Sequence, residues 1–122
     1  MEWEPISETA IWENINEACL RMSPPQAKTW EAIRIIPEKW QQSPWGNRGG
    51  GFWAVAIIGR LVVWFNDIED GFNVSRYSQH RVIDEYWCNQ DELEVAVQRV
   101  MNILESGYDG SANAGPPIPT GA

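Results

Sequence analysis

The chain is predicted to form an α+β domain, in which an antiparallel sheet of four to five strands (a β-meander) carries the N- and C-terminal helices on one face. Both ends of the chain have apolar residues at helical spacing, and the middle has short β-rich runs separated by turn residues. Helices that flank a run of neighbouring strands are typical of the α+β class. The 122 residues suffice for one domain, which we expect to span residues 1–106.

Two helices are predicted before the first strand. The first covers residues 7–22, where apolar residues recur every three or four positions and Ser7 is suited to cap the N-terminus. Ser23 and Gln26 have the spacing of a capping box, which favours a second, short helix. The isoleucine-rich run that follows favours a strand, and we expect Pro37 to end it.

The centre of the predicted sheet is a hairpin of Phe52–Ile58 and Leu61–Asn66, joined by a two-residue turn that begins with Gly59. Pairing Ile58 with Leu61 fixes the register, and both faces of the hairpin are then apolar. One face is expected to carry Trp53, Val55, Ile57, Val62 and Trp64, and the other Ala54, Ala56, Ile58, Leu61, Val63 and Phe65.

Two further strands and a long helix complete the predicted domain. Residues 72–77 alternate as a half-exposed strand does, and residues 82–88 form another β-rich run. Asn89 is suited to cap the last helix, and Gly107 to end it. Residues 107–122 are rich in Gly and Pro and are expected to form a flexible tail.

One face of the central hairpin has no predicted cover. The two terminal helices each have a single apolar stripe, so we expect both to lie on the same face of the sheet. The other face must be closed by the loop between Trp40 and Trp45, by curvature of the sheet, or by another chain. A homodimer formed through this sheet face is therefore one expectation.

The charge of the chain bears on its partners. With 17 acidic and 9 basic residues, the formal charge is -8, which disfavours nucleic acid and is compatible with a basic protein partner. No apolar run is long enough to span a membrane, and no export signal is visible at the N-terminus. The two cysteines form no disulfide framework, so we expect a cytoplasmic protein.

The turn after the central hairpin is the densest polar cluster. Asp67, Glu69 and Asp70 do not match the pattern of a calcium-binding loop, and no cofactor motif is present elsewhere. A simple hairpin turn explains the three acids. The alternative is that they present carboxylates to Lys or Arg of a partner, with Trp64 and Phe72 beside them.

A ligand pocket between the glycine-rich loop and the meander is the alternative site. Trp45, Arg48 and Trp53 are its candidate residues, since aromatic side chains near a flexible loop can form a platform for a sugar or peptide. Core packing explains the same tryptophans equally well. His80 and Cys88 are conceivable as a catalytic pair, and Cys88 precedes a predicted helix start, but burial would make the thiol inert.

Two stretches, Gly50–Ala56 and Val63–Phe72, resemble segments of small proteobacterial proteins, some of which are grouped with immunity proteins of toxin–antitoxin and contact-dependent systems. The resemblance covers residues 30–105 and implies a small, acidic α+β protein that acts by binding. It assigns no role to any residue. We therefore expect a non-enzymatic, immunity-like inhibitor or protein-binding module, with a small ligand-binding domain or enzyme as the alternative.

Overall fold

The computed structural model describes residues 3–107 and 113–116. The strands pair antiparallel in the order β1-β2-β3-β4, which confirms the predicted α+β fold with a meander. No helix in the described part of the chain is both long enough and apolar enough to cross a membrane. In chain order, the elements are α1 Glu8–Arg21, α2 Pro24–Ile33, β1 Arg34–Trp40, a 3-10 turn Asn47–Gly49, β2 Phe52–Ile58, β3 Leu61–Asn66, β4 Gly71–Arg76 and α3 Leu93–Ser106.

The predicted caps fix three of the helix ends. Ser7 Oγ accepts a hydrogen bond from the Ala10 N–H at 3.1 Å, and Ser23 and Gln26 form both bonds of the capping box. Gly107 ends α3 with a φ of 85°, a left-handed conformation that glycine adopts without strain. The start of α3 was predicted wrongly, because Glu92 and not Asn89 is its N-cap residue.

All three helices pack on one face of the sheet. Their apolar residues surround Val55, Val63, Phe65 and Phe72 of the sheet, and they form the larger of the two cores. This arrangement confirms the predicted placement of α1 and α3. The helical members of that core are Ile11, Ile15, Ala18, Trp30, Ile33, Leu93, Ala96, Val97 and Val100.

Two predicted strands differ from the structure. The first strand does not end at Pro37 but continues to Trp40, because β1 is an edge strand and tolerates a residue without an N–H. Residues 82–88 are not a strand, although single bridges join Val82 to Gln41 and Asp91 to Phe72. The sheet therefore has four strands.

A β-bulge at Val55 changes which residues of β2 share a face. Ile58 pairs with Leu61 as predicted, but Ala56 pairs with Val63 and Ala54 with Trp64, so Val55 is the extra residue. The predicted assignment of side chains to the two faces is therefore wrong for the part of β2 up to the bulge. Phe52 and Ala54 lie with Val62 and Trp64, whereas Trp53 and Val55 face the helices.

The second face of the hairpin is covered by the chain itself. Residues 77–92, which we call the covering segment, connect β4 to α3 and place Tyr77, Ile83 and Tyr86 against this face. Trp40 and Trp64 beneath them have no exposed surface. The prediction of an uncovered apolar face is therefore wrong, and a homodimer would have to use another surface.

Candidate functional site

Asp67, the first acid of the predicted site, turns inward. Its Oδ2 accepts a hydrogen bond from the Ile6 N–H at 2.8 Å, and its carbonyl accepts one from Trp3 Nε1 at 2.9 Å. Burial raises the pKa of the Asp67 carboxyl, and the bond from Ile6 opposes that rise only in part. Asp67 therefore holds the N-terminal segment and is not offered to a partner, which corrects the sequence prediction.

Trp64 and Phe72 are also core residues. Trp64 is fully buried, and its Nε1 donates to Ser75 Oγ at 2.9 Å. Phe72 is 4% exposed and packs edge-on against Phe65, with ring centroids 4.8 Å apart. Because both aromatic side chains lie in the core, Trp64 offers a partner no surface and Phe72 offers only a narrow strip, so the broad exposed contact that the sequence predicted is not present.

Of the other two acids in the turn, Asp70 is exposed and Glu69 is half-buried. Asn66 Oδ1 accepts from the N–H groups of Ile68 and Glu69 at 3.1 and 3.2 Å, which fixes the turn. Asp70 has a φ of 59° and is exposed. The predicted acidic cluster is thus divided: the N-terminal segment holds Asp67, Glu69 is half-buried, and Asp70 is exposed.

Asp70 lies on the rim of a groove between α1, the β3–β4 turn and the residues that precede α3. The groove has a volume of about 440 Å³, and we call it the acidic groove. The buried rings of Phe65 and Phe72 reach its floor, and acidic side chains dominate its walls. Its lining residues are Asn14, Glu17, Arg21, Phe65, Asp70, Phe72, Gln90, Asp91, Glu92 and Leu93.

The acidic groove has four carboxylates against one guanidinium. Arg21, the cation, is engaged at its edge: Nη2 lies 2.9 Å from Glu92 Oε2, and Nε lies 2.6 Å from Glu94 Oε2. Burial acts to raise the pKa of Glu94, but Arg21 outweighs it and holds this pKa below the usual value. Glu17 and Asp70 are exposed and form no ion pair with any residue that the structure describes, so a net negative potential remains in the groove.

These carboxylates do not converge on a single point. Within residues 3–107 and 113–116, no three His, Cys, Asp or Glu side chains are placed to hold a metal ion. The groove therefore presents separated negative charges above an aromatic floor, an arrangement suited to long side chains with an apolar stem and a cationic head.

The three candidate residues of the alternative ligand site do not come together. Trp53 lies on the helical side of the sheet, where Lys39 Nζ sits 4.9 Å from its ring centroid. Trp45 lies on the opposite side and stacks on Tyr86, with centroids 4.9 Å apart. Arg48 is exposed on the 3-10 turn. A single pocket lined by all three is therefore not formed.

The glycine-rich loop packs closely against its surroundings. A side chain at Gly51 would overlap the carbonyl oxygen of Trp40, and one at Gly49 would touch the Trp3 ring. Lys39 Nζ donates to the carbonyl oxygens of Gly49 and Gly51 at 3.1 and 3.2 Å. Close packing therefore explains the presence of glycine at positions 49 and 51.

His80 and Cys88 do not form a catalytic pair. His80 is exposed, and its Nε2 lies 3.7 Å from Glu38 Oε1. Burial raises the pKa of the Cys88 thiol, so the unreactive neutral form is favoured. The expected helix N-terminus is also displaced, since α3 begins five residues after Cys88.

Sequence reasoning missed most of the groove. Glu17 and Arg21 lie on the polar side of α1, and Asp91 and Glu92 lie directly before α3. Their spacing along each segment was visible, but no local pattern indicates that segments seventy residues apart meet. Comparisons with protein-family models, curated proteins and solved structures found no match, so only the geometry of this chain bears on the function.

Proposed function

We propose that this protein is a non-enzymatic binding protein that receives a basic segment of a partner protein in the acidic groove. The observation that supports this proposal is the combination of an aromatic floor, Phe65 and Phe72, with the exposed carboxylates of Glu17 and Asp70 above it. Asp70 is the one residue of the sequence-predicted site that both lines the groove and remains exposed.

The groove favours arginine or lysine for two physical reasons. The methylene stem of either residue can cover the edges of Phe65 and Phe72, and the charged head can then reach the carboxylates on the rim. Charge-assisted hydrogen bonds to carboxylates are stronger than neutral ones and fix the orientation of the partner. The formal charge of -8 also accelerates the approach of a basic partner.

In the immunity-like role that the sequence predicts, occupying a partner's basic segment would inhibit that partner. Both Cys19 and Cys88 are free, which is compatible with action in the reducing cytoplasm. The alternative, a small-ligand site or enzyme, has less support because Trp45, Arg48 and Trp53 lie apart.

The test uses a ten-residue peptide of alternating Arg and Gly as the probe, with binding followed by amide chemical shifts. We expect the largest shifts at Gln90–Leu93. The double variant Glu17→Gln/Asp70→Asn should bind about tenfold more weakly, because each lost ion pair contributes about 0.5–1 kcal/mol. Asn adopts positive φ readily, so the turn at Asp70 should be unaffected.

The matched control is Glu13→Gln/Asp84→Asn. It removes the same total charge from two exposed positions outside the acidic groove. We expect its affinity to change by less than about twofold, the effect of net charge alone. If both double variants bind the peptide with equally reduced affinity, the affinity depends only on the overall charge of the protein, and the proposal is wrong.

A further inference from the structure

Residues 113–116, the described part of the C-terminal region, lie against the covering segment. The Cys88 N–H donates to the Ala114 carbonyl at 2.5 Å, and the Ala114 N–H donates to Asn89 Oδ1 at 2.6 Å. Arg99 Nη2 donates to Asn113 Oδ1. These three bonds hold a short peptide through its backbone and one side chain, as peptide-binding proteins hold their ligands.

The surface that receives this peptide is built from buried polar groups. Asn73 has no exposed surface, and it holds Asn89 by accepting from its N–H at 2.9 Å and donating to its carbonyl at 3.1 Å. Arg99 is 3% exposed and also contacts Asp91, with Nη1 3.4 Å from Oδ2. Because contacts with Asn73 and Asp91 already hold Asn89 and Arg99 in place, the receiving surface needs little rearrangement to bind a peptide.

Space is present on both sides of Asn113. One hollow of about 360 Å³ is lined by Trp87 and Ile103, and another of about 480 Å³ by Glu69 and Asp91, and Asn113 contributes to the lining of both. Asn113 therefore lies between the two hollows.

We propose that the surface formed by Cys88, Asn89 and Arg99 is a docking site for an extended peptide of a partner, and that residues 113–116 are its internal competitor. The peptide would carry Asp or Asn at the place of Asn113, followed by a small residue. Asp is favoured over Asn, because a carboxylate pairs with the Arg99 guanidinium by charge-assisted bonds. This site adjoins the acidic groove, with which it shares Gln90 and Asp91, but it takes a ligand of the opposite charge.

Competition by the tethered segment sets the size of the expected effect. Covalent connection through the few residues between Gly107 and Asn113 keeps this peptide at an effective concentration of about 1–10 mM. If the open site binds a free peptide with a Kd of about 100 μM, the tethered copy would weaken the apparent affinity by roughly 10- to 100-fold. Weakening the segment's own contacts should therefore uncover binding that the wild-type chain masks.

The test compares the full-length wild type with Asn113→Ala/Ala114→Pro. The first substitution removes the contact with Arg99, and the second removes the N–H donated to Asn89. Both residues are exposed, so the fold should persist. The control is Ala114→Gly, which keeps the N–H. The probes are acetylated and amidated Ser-Ala-Asn-Ala-Gly-Pro, the chain's own sequence from 111 to 116, and versions with Asp or Ala at its third position.

Binding is measured by calorimetry, and hydrogen exchange at the Cys88 amide reports the occupied site. We expect the double variant to bind the Asp peptide best and the Ala peptide at least tenfold more weakly, and to regain Cys88 protection when the peptide is added. Wild type and Ala114→Gly should bind at least tenfold more weakly than the double variant. Ala114→Pro alone provides a second variant with an intermediate effect. If both proline variants keep the wild-type circular dichroism but bind no probe at 1 mM, the proposal is refuted.

Discussion

The side chain of Asn73 fastens the covering segment to the sheet, so we predict that Asn73→Ala destabilises the protein strongly. Asn73 is fully buried, and it bonds the N–H and the carbonyl of Asn89 at 2.9 and 3.1 Å and the carbonyl of Gly71 at 3.3 Å. A buried polar group that loses its partner costs about 1–3 kcal/mol. Two backbone groups of Asn89 are affected, and we expect a loss of about 2–4 kcal/mol in the free energy of unfolding.

Urea unfolding measures this loss. With a denaturant slope of about 2 kcal/mol/M, the midpoint should fall by about 1–2 M. Asn102→Ala is the matched control, because Asn102 lies on the exposed face of α3 and bonds only locally, to Gln98 and Ser106. Its stability should stay within about 0.5 kcal/mol of wild type. If the two variants differ by less than 1 kcal/mol, Asn73 does not fasten the segment and our reasoning fails.

Two further predictions concern the glycine-rich loop and Asp67. Gly50→Ala should lower the free energy of unfolding by about 1–2 kcal/mol, because φ at Gly50 is 74°. Gly51→Ala should lower it by at least about 1 kcal/mol more, because φ is 108° and the added methyl group would overlap the Trp40 carbonyl. Equal shifts in the melting temperatures of the two variants would contradict this prediction. Burial raises the pKa of Asp67 above its ordinary value of 3.8, so the folded state binds this proton more tightly than the unfolded state does. The stability of the wild type therefore falls as pH rises from the unfolded-state pKa to the higher folded-state pKa. Asp67→Asn should therefore gain stability relative to wild type between pH 3 and pH 7, and an equal difference in urea unfolding at both pH values would count against it.

The helices and the pairing of the central hairpin could be predicted because their signals are local. Ser7, Ser23 and Gly107 act within one turn of their own helices, and the two-residue turn at Gly59 sets the pairing of Ile58 with Leu61. Each of these features depends on residues less than five positions apart, and a single sequence contains that information in full.

The faces of β2 could not be predicted, because a bulge has no reliable sequence signal here. Alternation assigns Trp53 and Ile57 to the same face, but the extra residue at Val55 places them on opposite faces. That one insertion also separates Trp53 from Trp45, and so the predicted ligand pocket is not formed.

The acidic groove could be predicted only at Asp70. Its turn was recognised as acid-rich, but whether each carboxylate points inward or outward depends on the N-terminal segment, which bonds to Asp67 from sixty residues away. In the same way, Tyr86 seals the second face as part of an irregular segment, whereas its β-rich neighbourhood resembled another strand. Long-range contacts of this kind depend on tertiary packing, which local patterns do not encode.

The covering segment has a consequence for how this molecule opens. It seals an aromatic cluster without a continuous ladder or helix of its own, and it is fastened by isolated backbone bridges to Gln41 and Phe72 and by side chains such as Asn73 and Ser75. Segments held in this way form cooperative units of low local stability, which detach while the rest of the native structure persists. Exposing Trp40 and Trp64 to solvent would then require only the free energy of detaching the covering segment, which is far below that of global unfolding. Heat or denaturant should therefore first expose the apolar face of the sheet that lies opposite the helices.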